Sequence, residues 1–378
     1  MPRFDSAALF CYNPAMTDRS IALFVSPHGF GHAARACAII GELNRRLPAV
    51  AIHVFTRVPE WFFAESLPFP FFYHELETDV GMVQLSPLRE DVVATARKLD
   101  SFLDFSAGRI EAIASMIRAV RCGLVVCDIA PLGIAVAAHC GLPSVLIENF
   151  TWDWIYDGYA AAEPRMAAHA ATVRAVFASA THRIQTEPVT VRHPADLVTA
   201  PVSRPCRAAI ADTRAALGVG SGDTFVLVSM GGVATQRSFL DTLGRHSHCL
   251  FAVPADGVTA IERRGSVILL PWHASLYHPD LVAAADVVVG KLGYSTIAEV
   301  FNAGVAFGYF TRPEFRESWP LQTFVDAHVP SVRLADASFD SGGWLQAITH
   351  LLAVPRVTRT ERNGAMTAAD WLCATFFG

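Results

Sequence analysis

Three times in this chain a run of apolar, often β-branched residues ends in glycine and passes at once into a helical pattern. The first run is Ser20 to Ser26, SIALFVS, which leads into PHGFGHAARACAIIGELNRRL. The second is DTFVLVSMGG, ahead of a helix from about Thr235, and the third is Asp286 to Val289, followed by GKLGYSTIAEVFNAG. Each run has the composition of a buried parallel strand, and each sequel carries apolar residues at helical spacing. Further strand and helix patterns alternate between these points. The expected class is therefore α/β with doubly wound sheets, whose chemistry lies at the carboxyl ends of the strands.

A chain of 378 residues is long enough for two such domains. Four prolines, Pro188, Pro194, Pro201 and Pro205, interrupt the periodicity between Glu187 and Arg207 and place the boundary there. The expected division is a leader over 1–19, a first domain over 20–200 and a second over 201–355. A closing segment, 356–378, carries an amphipathic helix from Ala365 to Phe377 that packs back across the junction. Met16 is an equally good start for the folded part.

A formal charge of −5 with 17% charged residues leaves no basic footprint for nucleic acid. The longest apolar run, Gly123 to Ile147, is broken by Asp128, Pro131, His139, Pro143 and Ser144, and parses as strand, helix, strand rather than as a membrane span. Arg3, Asp5, Asn13 and Asp18 deny the first nineteen residues the apolar core of a signal peptide. The eight cysteines form no C-x-x-C pair, and Cys37, Cys127, Cys140 and Cys249 lie in apolar runs. They read as buried, reduced thiols of a cytoplasmic protein, with no metal site.

The third turn is the strongest candidate for an anion site. Gly290 and Gly293 let the backbone approach a ligand, Ser295 and Thr296 sit where capping hydroxyls belong, and Lys291 adds charge at a helix N-terminus. Glu299 falls one to two turns into that helix, where a carboxylate suits ribose hydroxyls. Gly29 and Gly31 make the first turn a second anion-facing loop, distinct from the dinucleotide fingerprint because Ala34 holds its third glycine position. His28 and His32 flank it, and the helix N-terminus favours a neutral His32 that accepts a proton. A loop histidine is otherwise a surface or capping residue. Asp128, at the end of Leu124 to Cys127, either orients such a histidine or caps the helix that begins near Pro131. Asn149, Trp152, Asp153, Trp154, Tyr156 and Tyr159 form an aromatic and polar cluster that suits a sugar-sized ligand or a domain interface. Gly231 and Gly232 offer another phosphate-suited turn, and Pro271 to His273 a loop that can flank a nucleobase.

Six motifs in order, HGFGHAAR, VVCDIAP, ENFTWDWIY, SMGG, GKLGYSTIAE and RPEFRE, give the chain a specific resemblance from roughly Ile21 to Ala335. It resembles the GT-B glycosyltransferase-like domain that precedes the sugar kinase in plant L-arabinokinase, with its free-standing bacterial relatives. More distantly it is similar to the UDP-glycosyltransferases and the peptidoglycan N-acetylglucosaminyltransferase. The resemblance implies two Rossmann-like domains facing a cleft, and transfer of a sugar from a nucleotide donor, a UDP-sugar first, to a small acceptor. It implies His32 as the base and Asp128 as its orienting carboxylate, with inversion and without a metal or other cofactor. Gly31, Gly231, Gly232, Lys291, Gly293, Ser295 and Thr296 then face the diphosphate, although Lys291 stands where the UDP-glycosyltransferases keep a histidine. Glu299 takes the ribose, Glu317 with Arg316 the donor sugar, and His28, Asn149, Trp152, Asp153, Trp154 and Tyr156 the acceptor. No kinase loop follows the motifs, so arabinokinase activity is not implied. A nucleotide-sugar hydrolase or epimerase, and a non-catalytic nucleotide-sugar-binding module, remain as alternatives.

Overall fold

The computed structural model describes residues 20–86, 89–230, 237–244, 248–271, 276–339 and 341–377. Among them the first half builds β1 (Ser20–Val25), β2 (Ile52–Thr56), β3 (Phe72–Glu75), the short hairpin β4 (Gln84–Ser86) and β5 (Arg89–Glu90), then β6 (Cys122–Asp128), β7 (Ser144–Glu148), β8 (His182–Thr186) and β9 (Leu197–Thr199). The hairpin apart, they form one sheet in the order β3-β2-β1-β6-β7-β8-β9, every pair parallel. All six residues of β1 are buried. Ala22 and Phe24 enter one apolar core while Ile21, Leu23 and Val25 enter the other, which is why a strand covered by helices on both faces reads as a continuous apolar run.

The second half repeats the plan with β10 (Phe225–Ser229), β11 (Leu250–Pro254), β12 (Glu262–Arg264), β13 (Val267–Leu270), β14 (Val287–Lys291), β15 (Ala306–Phe310) and β16 (Ser331–Arg333). Their order is β12-β13-β11-β10-β14-β15-β16, parallel throughout except for β12 against β13. Phe225 and Leu227 pack on one face, Val226 and Val228 on the other. β14 runs to Lys291, two residues past the apolar run, and Gly290 lies inside it. That glycine serves the sheet rather than a ligand, since a Cβ there would sit 2.4 Å from the Ser229 carbonyl oxygen.

The final helix, Gly364–Phe376, packs on the first, Phe30–Arg46, and buries Ala365, Ala368, Ala369 and Leu372 in the core of the first domain. Arg46 Nε donates to Asp370 Oδ1 at 2.6 Å to fasten the pair. Cys37, Cys127 and Cys249 are buried free thiols, whereas Cys140 ends its helix half-exposed. No helix among the described residues is long and apolar enough to cross a membrane.

Strand order reverses between β1 and β6 in one sheet and between β10 and β14 in the other. At such a switch point the loops diverge and leave a crevice, so each sheet presents one natural binding position at its carboxyl edge.

Candidate active site

In the first domain the crevice is furnished by β1, β6 and β7. After Val25 the chain turns through Gly29, whose φ of 75° lies in the left-handed region that glycine enters without strain, and Phe30 opens the helix. The apolar spacing places that start near Ala33; it marks only the buried face, and the first turn looks into the crevice. His32, the third helical residue, sets Nδ1 3.0 Å from Asp128 Oδ1 at the end of β6. The Nδ1–H donates to the carboxylate, which leaves Nε2 as the acceptor. Asp128 does not cap the helix Pro131–Cys140, whose N-cap is Ala130.

The other half of the Asp128 carboxylate belongs to Arg35, one turn beyond His32. Nε donates to Oδ2 and Nη2 to Oδ1, both at 2.7 Å, and Nη1 donates to Asn149 Oδ1 at 2.6 Å. Burial pushes the Asp128 carboxyl upward, but the Arg35 charge and fork, with the His32 hydrogen bond, outweigh it and hold the group below the usual range. Arg35 closes the HGFGHAAR motif but is not among the site residues assigned from it. Its signal in the sequence is a charged side chain within an otherwise apolar helical face, i+3 from His32.

In the second domain β14 delivers Lys291 to the crevice and the helix Tyr294–Ala303 begins with Gly293 as N-cap. Ser295 and Thr296 are its second and third residues. Neither caps the helix, and no described residue bonds their hydroxyls. Lys291 likewise has no hydrogen-bond or ion-pair partner among the described residues. Burial, with the Arg312 charge, pushes its ammonium down to about 8 against the pull of Glu317 and Glu90. Arg312 opens the RPEFRE motif and is itself buried, stacked 3.6 Å from the Phe315 ring centroid, with Nη2 3.5 Å from Glu317 Oε2 and Nη1 3.4 Å from Glu90 Oε1. It too is missing from the motif-derived list, because its role depends on Glu90, a residue 222 positions earlier.

Both sets line one cavity of about 540 Å³. His28, Gly31, His32, Arg35 and Asn149 contribute from the first domain, and Lys291, Gly293, Ser295, Thr296, Arg312 and Glu317 from the second. The two helix N-termini nearly touch, for a Cβ on Gly31 would lie 3.5 Å from Ser295 Cβ. Asn149 Nδ2 donates to Glu317 Oε1 at 2.9 Å and closes a hydrogen bond between the domains. His28 Nδ1 accepts from the Met82 amide at 3.3 Å, and burial, then the charges of Arg312, His32 and Lys291, hold its imidazole well below its ordinary value.

Other expected site residues lie elsewhere. Trp152 and Tyr156 are fully buried, stacked on each other behind His28 and His32, and Tyr156 Oη donates to the Gly81 carbonyl. Asp153 pairs with Arg174, and Trp154 lies under the exposed Arg316, whose Nη1 donates to the Trp154 carbonyl at 2.6 Å. None of these five lines the cavity: burying large aromatic area in the core outweighed displaying it. Glu299 is buried behind the wall, with Oε1 accepting from Arg204 Nη2 at 3.1 Å and Oε2 2.6 Å from His278 Nδ1. His278, whose Nε2 is 3.0 Å from Ser229 Oγ, reaches the cavity in its place. Gly231, Gly232, Trp272 and His273 lie outside the described residues.

Two facing doubly wound domains with a shared cleft are also what known structures show. The chain superimposes on the glycosyltransferase of kitacinnamycin with a TM-score of 0.62 at 18% identity, over 94% of this chain and 98% of that one. The fold is GT-B. CalG4, the calicheamicin glycosyltransferase, matches at a TM-score of 0.61 and 16% identity over 94% and 98%, and Arabidopsis thaliana UGT89C1 complexed with UDP at 0.60 and 13% over 94% and 99%. In sequence, the L-arabinokinase of Arabidopsis thaliana is 27% identical across 94% of this chain and 34% of that protein, so this GT-B chain spans about a third of the relative it matches. No family model matches.

Proposed function

We propose that the protein is a glycosyltransferase that moves a sugar from a nucleoside-diphosphate donor, a UDP-sugar in first place, to a small acceptor. The observation that carries this reading is the pairing of His32 and Asp128 at 3.0 Å on the first-domain wall of the cavity, with a helix N-terminus and Lys291, which has no partner among the described residues, on the second-domain wall. The similarity to UGT89C1 complexed with UDP supports the same donor class.

In the reaction the acceptor hydroxyl gives its proton to His32 Nε2 while its oxygen bonds to the anomeric carbon. The bond from that carbon to the β-phosphate oxygen breaks, and the nucleoside diphosphate leaves with the electron pair. The transition state is oxocarbenium-like, and negative charge grows on the departing phosphate. Lys291 and the free N–H groups at Tyr294 to Thr296 meet that charge where it appears. Asp128 keeps the His32 tautomer fixed and steadies the imidazolium once formed. A base and a leaving-group site supplied by different domains suit direct displacement with inversion.

The test is to incubate the protein with a panel of nucleotide sugars and candidate acceptors, following free nucleoside diphosphate and the product anomer. Acceptor-dependent release with an inverted product supports the proposal. Acceptor-independent release with free or isomerised sugar replaces it with a hydrolase or epimerase. Tight nucleotide binding without turnover across the panel replaces it with a binding module.

A further inference from the structure

Arg35 has no task in the reaction above, yet among the described residues it is a densely connected side chain of the cavity wall. It is 1% exposed, holds both oxygens of Asp128, and reaches Asn149 Oδ1 and Thr186 Oγ1. Two of its neighbours lead into the second domain. The Tyr294 ring, the first residue of the phosphate-suited helix, lies 4.7 Å from the guanidinium carbon, and Asn149 passes a hydrogen bond on to Glu317.

A bidentate fork fixes a carboxylate in its plane as well as in position. His32 donates to the same Oδ1 that receives Arg35 Nη2, so the direction of Nε2 follows from where Arg35 holds Asp128. Where Arg35 sits depends in turn on contacts that the second domain supplies. A ring and a hydrogen bond across a domain boundary are either made or broken, and that gives the link two discrete states.

We propose that Arg35 is the positioning residue of the His32 base, and that the Tyr294 ring and the Asn149–Glu317 hydrogen bond transmit to it the seating of a nucleoside diphosphate in the second domain. Donor seating then adjusts the direction of a base that Asp128 and Arg35 already hold in one tautomer. The proposal rests on the reading of His32 as base, and its test is independent of turnover.

The protein is labelled with ¹⁵N-histidine, the His32 ring signals are assigned by their loss in His32→Gln, and UDP is titrated into the wild type, Arg35→Lys and Asn149→Asp. The wild type shows a single Nδ1–H tautomer that shifts on UDP addition. Arg35→Lys keeps the charge without the fork, and its tautomer averages even before UDP. Asn149→Asp keeps an oxygen for Arg35 but no donor for Glu317, so the tautomer persists and the UDP-induced shift disappears. Reciprocity requires the broken link to weaken UDP binding as well, by about fivefold at the low end of ordinary coupling. Thermal melts check that each variant folds, and if Arg35→Lys does not, Asn149→Asp carries the test. Equal His32 signals and equal UDP shifts in wild type and variants overturn the positioning role alone. Failure of UDP to bind the wild type overturns the donor reading, while the tautomer in Arg35→Lys still decides the role of Arg35.

Discussion

The two walls of the cavity are built on opposite principles. On the first-domain side His32, Asp128, Arg35 and Asn149 satisfy one another in a buried network at 2.6 to 3.0 Å. On the second-domain side Lys291, Ser295 and Thr296 have no partner among the described residues, and a helix N-terminus opens between them. The first wall is complete without a ligand. The second leaves a cation and two hydroxyls that an anion would satisfy. A reaction that needs a base of fixed direction and a site for departing charge divides its work this way: a preset base removes the proton along one line, while unpartnered donors are strongest when the charge arrives.

The comparison is broken most directly at His32. His32→Ala lowers turnover by about 10²–10⁴ while UDP affinity, followed by calorimetry, stays near that of the wild type; a loss confined to UDP binding would mean that the first wall also recognises the nucleotide. Glu299 comes next. With both oxygens committed to Arg204 and His278, Glu299→Ala leaves a buried guanidinium unpaired and costs about 3–5 kcal/mol in urea unfolding. Weaker UDP binding with unchanged stability would return this carboxylate to the ribose. Lys291→Ala should weaken UDP binding by about 1.5–3 kcal/mol, the worth of a charged hydrogen bond, with unchanged or higher fold stability because a half-buried cation with no partner among the described residues is removed.

The pH dependence follows from the same residue. Its ammonium, pushed down to about 8 by burial and the Arg312 charge, is charged below that pH and pairs with the diphosphate without taking up a proton. Above pH 8 the free lysine is neutral, binding must protonate it, and UDP affinity falls as pH rises. That slope vanishes in Lys291→Ala; if it persists, another group carries it. The smallest effect is at Arg316, exposed and turned to Trp154: Arg316→Ala changes donor KM by no more than about twofold, and a larger change would bring it back to the sugar site.

Much of this layout is legible in the sequence because strands and helix termini are local events. SIALFVS and DVVVG announce buried parallel strands, and HGFGH and GKLGYST announce helix N-termini, so His32 and Lys291 fall at the crevice wherever those elements stop. Other placements were not legible. The Trp152 to Tyr156 cluster has the composition of a binding surface, yet Trp152 and Tyr156 are fully buried, since periodicity in a helix of six residues does not say which side is covered. Arg312 and Arg35 escaped notice because their partners lie far along the chain, Glu90 at 222 residues and Asp128 at 93.

By itself, then, the sequence determined two doubly wound halves and the glycine turns from which His32 and Lys291 project, for these follow from backbone periodicity and helix termini. Only the tertiary structure decided which charges pair. Asp128 went to Arg35 as well as His32, Glu299 went to Arg204 and His278, and Lys291 went to no described residue. A buried charge takes whichever opposite charge the fold brings within a few ångströms, and distance along the chain does not enter that choice.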